Sequence, residues 1–346
     1  MSAPEGGADL TIDLHTHILP HGWPDLEQLY GCPGWLHLEK EGPGSARLMR
    51  GNACFRQIDA RCWEAERRLA DCDASGVQVQ VLSTVPVMFS YWAPAEHALD
   101  LSRRLNDHIA EVVAGHPRRF VGLGTLPLQD PDRAIGELRR CMDDLHLAGV
   151  EIGTHVNGDN LDSPGVFAVL EAARDLDAAV FVHPWDMLGR ERMERYMLPW
   201  LVGMPTETAL AICSIILGGV LDRLPGLRIA FAHGGGAFPA IAGRVEQAYG
   251  SRPDLVAVDA EQSPSHYLDR IWVDSLVHDG DALQRLLDLF GAERVMLGSD
   301  YPFPLGEDPP GSVLAAMTGL DAAVRAQVRG RNALAFLGLD RSRFVT

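Results

Sequence analysis

Short runs rich in β-branched and other apolar residues alternate along the chain with longer stretches of helical periodicity. The runs are 11–15, 77–84, 119–127, 149–155, 178–184, 227–235, 270–276 and 294–300. Most are apolar at nearly every position, as expected of parallel strands covered on both faces. Between them, 63–75, 94–115, 130–146, 163–176, 205–224, 237–250 and 279–291 repeat apolar residues at helical spacing, and a further pair covers 312–338. Strand followed by helix, eight times over, predicts a (β/α)8 TIM barrel, with a doubly wound open sheet as the competing arrangement. One segment breaks the alternation. Residues 18–62 are too long for a simple strand-to-helix loop and carry Gly, Pro and the turn-flanking Trp23 and Trp35, with Trp63 just beyond. They predict a small inserted subdomain of short strands over the barrel mouth, within one barrel domain spanning 1–346. No internal repeat is visible.

Composition narrows the function classes. Of 346 residues, 47% are hydrophobic and 22% charged, which argues against disorder. The net charge of −17 disfavours nucleic acid and anionic membrane as partners, because both need a basic face. No run of 18 consecutive apolar residues is present, so no membrane span is expected. Lys40 is the only lysine, in the turn-like stretch KEGPG. Any Schiff-base or carbamylated-lysine chemistry would have to use it. The six cysteines (32, 54, 62, 72, 141, 213) form no CxxC pair, and the opening MSAPEGGADL has neither a basic nor an apolar leader segment. Reduced thiols in a cytoplasmic protein are expected.

The sharpest chemical signal is Asp13-Leu14-His15-Thr16-His17. In a strand, residues i and i+2 share a face about 6.6 Å apart, so His15 and His17 project together. His183, His233 and Asp300 end the fifth, sixth and eighth runs, the end at which barrel enzymes place their sites. Imidazoles with one carboxylate suit a divalent ion of the zinc type. A lone histidine at a strand end is usually a satisfied polar residue; four histidines and an aspartate on one rim are not readily a coincidence. His155 ends the fourth run and is a further candidate for the pocket. The remaining histidines default to structural or solvated roles. A non-catalytic metal-binding scaffold is the alternative of a different class, but a closed structural site would not need a fifth residue such as His233.

This ligand pattern resembles the amidohydrolase superfamily. Its binuclear members add a carbamylated lysine on strand four, where this chain has GVEIGTH, so the resemblance implies one ion per subunit. LSTVPVMFSYWA (82–93), RRFVGLGTLP (118–127), IGTHVN (152–157), FVHPWDM (181–187), LPWLVGMP (198–205), FAHGGGAFP (231–239) and LGSDYPFPLGE (297–307) further resemble the 2-amino-3-carboxymuconate-6-semialdehyde decarboxylase family. The likeness runs from about residue 9 to 340 and is looser over 18–62. It implies that His15, His17, His183 and Asp300 bind one Zn²⁺ and a water. It also implies that His233 lies beside that water as general base, with Asp300 a ligand that takes part in catalysis. The implied reaction is an oxygen-independent, non-oxidative decarboxylation by a metal-bound hydroxide, giving 2-aminomuconate 6-semialdehyde and CO2 in kynurenine/tryptophan or nitroaromatic degradation.

The same resemblance assigns the small-molecule dicarboxylate to particular cations. Arg guanidinium pairs with carboxylate in two-point geometry. Arg56 in CFRQ matches the family's carboxylate-binding arginine. Arg244 in AGRVEQ matches one sent into a neighbouring subunit, which implies a homodimer. Arg50 stands where family members can have a lysine. Trp200, Phe303 and Leu305 are candidate pocket walls, and Trp185 and Met187 are similar cases, although aromatics at a barrel rim are more often core. A mononuclear hydrolase or hydratase, or a decarboxylase of a carboxylated phenol, shares the metal ligands and remains the alternative.

Overall fold

The computed structural model describes residues 9–345. The opening residues, on which the expectation of no leader rests, lie outside that range. The strands are β1 (Ile12–Ile18), β2 (Leu36–Gly42), β3 (Ser45–Arg50), β4 (Ala53–Asp59), β5 (Val79–Thr84), β6 (Phe120–Gly124), β7 (Gly149–Gly153), β8 (His155–Val156), β9 (Asp159–Asn160), β10 (Ala179–His183), β11 (Ile229–Phe231), β12 (Ile271–Asp274) and β13 (Val295–Met296). Eight of them form one parallel sheet in the order β1-β5-β6-β7-β10-β11-β12-β13. These eight are the runs expected from the sequence, in the same order. The chain closes the sheet just past β13. Leu14 N donates to Leu297 O at 2.8 Å, Asp300 N to His15 O at 2.8 Å and His17 N to Tyr301 O at 2.8 Å. The sheet is therefore a barrel and not the open alternative, and its closing seam brings Asp300 alongside the two histidines of β1.

Helices cover the sheet for the local reasons visible in the sequence. In Gly280–Phe290, the Asp279 side chain accepts from Ala282 N at 2.9 Å, while Leu283, Leu286, Leu287 and Phe290 are buried on one face. Inside the barrel, Leu14, Val81, Leu123, Phe181 and Trp272 belong to a separate apolar core, sealed by Phe336 and Leu337 of the last helix. The ring of His15 rests on Phe181, with centroids 5.0 Å apart. The site is thus built on a packed floor.

Between β1 and the helix Ala65–Ser75, β2, β3 and β4 form a three-stranded antiparallel sheet. It shares a core with the barrel: Trp35, Leu48 and Ile58 pack in one cluster with Leu19, Met88 and Leu101, and Phe303 lies against that cluster. Lys40 lies within β2 rather than in the turn, exposed, with Nζ 3.5 Å from His21 Nδ1. All six cysteines are free thiols. One helical stretch, Pro199–Leu217, is long and apolar enough by composition to cross a membrane, although half of it is buried in the fold. It contains no run of 18 consecutive apolar residues. Thr206, Glu207 and Thr208 interrupt the apolar run, so counting consecutive apolar residues passes over it.

Candidate active site

Four side chains converge at the C-terminal end of the barrel. One ligand-type atom from each of His15, His17, His183 and Asp300 lies within 4.8 Å of the others. His15 Nε2 and His17 Nε2 are 3.1 Å apart, and Asp300 Oδ1 is 3.1 Å from His17 Nε2 and 3.7 Å from His15 Nε2. The far nitrogen of each ring is already engaged. His15 Nδ1 donates to Asp274 Oδ2 at 2.7 Å, His17 Nδ1 to Thr84 O at 2.9 Å and His183 Nδ1 to Pro184 O at 2.9 Å. When these rings are neutral, that leaves each Nε2 as a lone pair, and these nitrogens converge on one point. His183 Nε2 is buried with no hydrogen-bond partner among the described residues. Such convergence needs a cation between the rings, and the donor set of three imidazoles and a carboxylate fits a divalent metal.

The electrostatics agree. Burial holds His183 well below the usual imidazole range, and the nearby His233, His17 and His15 add to the effect. Burial also lowers His17, against the pull of Asp300. His15 is the exception: burial would lower it, but Asp274, Asp300 and Glu151 outweigh that and raise it to about 9. Burial would raise Asp300, yet hydrogen bonds to His17 and His233 and the charge of His15 hold it well below the carboxylate range.

His233 borders the cluster without joining it. Its Nε2 is 3.8 Å from Asp300 Oδ2, and its ring centroid is 5.1 Å from His15 and 5.0 Å from His183. Its backbone φ is 57°, and that of Asp300 is 59°. Left-handed backbone at two non-glycine residues of one site is a marker of constrained, functional geometry. Gly298 shows how tightly the seam is drawn. A Cβ there would stand 2.8 Å from Cβ of both His15 and Asp274, so only glycine admits this approach.

The pocket wall follows from Phe303. Its ring lies 5.6 Å from His17 and carries the Arg56 guanidinium 4.4 Å above its centroid. Arg56 is also 5.8 Å from the rings of Phe55 and Trp200. It is half-buried and makes no ion pair among the described residues. Arg50 also stands 5.9 Å from the ring centroid of Phe55, its Nε buried without a partner among the described residues. Leu305 is half-buried two residues beyond Phe303. Trp185 packs 5.0 Å from Tyr91 and stacks on His155, whose Nε2 faces Asp186 O at 3.2 Å. His155 belongs to this neighbouring layer and is outside the ligand group. Met187 sits against Gly203, where a Cβ would stand 2.7 Å from its own. Arg244 is exposed on the helix Phe238–Ser251 and makes no hydrogen bond or ion pair with the ligand group.

Three further residues shape the site. Arg68, fully buried with no carboxylate partner among the described residues, donates to His17 O at 2.7 Å and Thr16 Oγ1 at 2.9 Å. Glu151 on β7 is buried 3.6 Å from His17 Nδ1, and neither of its oxygens has a hydrogen-bond partner among the described residues. Burial holds it well above the carboxylate range, against the charge of His15. Asp274 ends β12 and binds His15. A lone acid within an otherwise apolar strand, as in GVEIG and IWVD, is the one signal that could have flagged the last two.

The amidohydrolase family model matches residues 12–339. A 2-amino-3-carboxymuconate-6-semialdehyde decarboxylase from Dictyostelium discoideum is 51% identical, covering 97% of this chain and 94% of its own. This chain belongs to that decarboxylase family of amidohydrolases. The Caenorhabditis elegans enzyme of the same name is 36% identical over 96% of this chain and 95% of its own. Among solved structures, 5-carboxyvanillate decarboxylase from Sphingomonas paucimobilis superposes with a TM-score of 0.81 at 26% identity, covering 96% of this chain and 100% of that one. The chain therefore has the fold and the divalent-metal site of a metal-dependent decarboxylase.

Proposed function

We propose that the protein removes CO2 from 2-amino-3-carboxymuconate 6-semialdehyde without oxygen or a redox cofactor, giving 2-aminomuconate 6-semialdehyde. The observation that carries this is Arg56. In a chain of net charge −17, a half-buried guanidinium framed by Phe303, Phe55 and Trp200 pairs with no carboxylate among the described residues. Phe303 sets it one ring away from His17. A planar conjugated substrate with two carboxylates satisfies both the cation and the aromatic walls. Identity of 51% to a decarboxylase of that name supports the substrate over a carboxylated phenol.

His15, His17, His183 and Asp300 would hold the ion, which we propose is one Zn²⁺ per subunit. When bound, a divalent ion supplies Lewis acidity that makes water a competent nucleophile near neutral pH. Arg56, assisted by Arg50, orients the carboxylates. His233 accepts the proton of the attacking water and returns it to the substrate carbon. The water oxygen adds to the neighbouring carbon of the conjugated chain; when the C–C bond to the departing carboxylate then breaks, CO2 leaves, its electron pair re-forms the C=C bond and expels the added oxygen as hydroxide, and the proton from His233 stands where CO2 was. The step is redox-neutral.

Zinc-loaded protein under argon should consume freshly generated substrate, followed by the loss of its near-ultraviolet absorbance, and release an equivalent of CO2. Substrate loss without CO2 would leave a hydratase or hydrolase and overturn the proposal.

A further inference from the structure

We propose that Asp274 is a positioning residue that holds the metal ligand His15 and the base His233 through one carboxylate, so that metal affinity and base placement are set together. Four N–H groups converge on this fully buried side chain. Oδ2 accepts from His15 Nδ1 at 2.7 Å and from the backbone N of His233 at 2.9 Å. Oδ1 accepts from the backbone N of Gly234 at 2.8 Å and of Leu276 at 3.1 Å. A carboxylate has lone pairs enough for all four donors. An asparagine does not, because its NH2 would face either the His15–His233 pair or the Gly234–Leu276 pair.

The coupling lies in the sharing of Oδ2. The same oxygen fixes the imidazole of a ligand and the main chain of the base, so displacing one displaces the other. In the turn it anchors, His233 has a φ of 57°, costly for a non-glycine residue, and Gly234 follows at 61°. Consecutive left-handed residues aim their N–H groups to one side, which is an anion-binding arrangement. Here the anion is the Asp274 side chain. Gly298 lets the closing strand reach the same carboxylate, with a would-be Cβ 2.8 Å from Asp274 Cβ. No cluster motif marks Asp274: it ends the apolar strand IWVD.

The coupling to catalysis rests on reading His233 as the base, whereas the coupling to metal does not, and the readouts separate the two. Asp274→Asn and Asp274→Glu would be compared with wild type by circular dichroism, Zn²⁺ competition against a chelator, hydrogen exchange of the 233 and 234 amides, and kcat and KM at saturating Zn²⁺. Asp274→Asn should weaken Zn²⁺ binding by about 10–100-fold. It should also speed exchange at both amides and lower kcat at least about tenfold with KM little changed, as expected when a transition-state role is lost. Asp274→Glu, which keeps the charge but moves it, should recover more Zn²⁺ affinity than kcat. Wild-type Zn²⁺ affinity in Asp274→Asn, or wild-type values of both quantities in Asp274→Glu, would overturn the proposal. So would full kcat at saturating Zn²⁺ in Asp274→Asn. If neither variant folds, the wild-type amides decide: exchange at 233 and 234 as fast as in exposed loops would refute the clamp. Zn²⁺ affinity and exchange need no substrate, so a wrong substrate assignment would leave them standing.

Discussion

At the scale of single residues, the site is organised by what the histidines do with their second nitrogen. His15, His17 and His183 each give Nδ1 to an acceptor, which fixes the tautomer and aims Nε2 at a common point. His233 differs. Its Nδ1 is buried without a partner, and its Nε2 lies 3.8 Å from Asp300 Oδ2. That contrast predicts that His233→Ala retains the metal but loses about 10²–10⁴-fold in kcat, the usual range for a positioned proton-transfer group. Metal analysis of the purified variant beside its turnover checks this, and loss of the ion would make His233 a ligand instead. These histidines were legible because strand alternation and strand ends are local properties. Glu151, Arg68 and Asp274 were not, because each is one charged residue whose partner lies far away in the chain.

At the scale of elements, periodicity located all eight barrel strands but could not show their seam. The segment 297–301 carries little strand pattern of its own; it pairs with β1 through Leu14, His15 and His17. Pairing of β1 with β5 also shifts register between Asp13 and Thr16, within the metal motif itself. Gly298 is the residue on which the seam closes. Gly298→Ala should destabilise the fold by about 1–3 kcal/mol, as overpacking does, and weaken Zn²⁺ binding through His15. Urea unfolding and chelator competition would measure both. Unchanged stability would mean that the seam can open without cost.

At the scale of the whole molecule, several exposed apolar residues lie on adjoining elements. Leu201 and Val202 are 53% and 52% exposed, and Leu210 on the following helix is 43% exposed. That helix, Met204–Leu217, packs against Phe238–Ser251, which carries Ile241 and Arg244. A two-fold homodimer covering this face would hide the patch and offer Arg244 to the neighbouring pocket. If so, Arg56→Ala and Arg244→Ala are each nearly inactive. An equal mixture should regain roughly a quarter of wild-type activity after subunit exchange, because each heterodimer of a two-fold pair rebuilds one of its two sites. No recovery after proven exchange would place Arg244 outside the site.

The sequence by itself determined the strand-helix alternation, and the ligand types and their places at strand ends. These are local or compositional properties, and a linear pattern carries them. Only the tertiary structure decided which residues meet. Asp300 comes to His15 across the seam, Arg56 from β4 comes to lie over Phe303, and Asp274 spans His15 and the His233 turn. Such meetings depend on barrel closure and on the packing of the inserted sheet, both set by contacts between residues hundreds of positions apart.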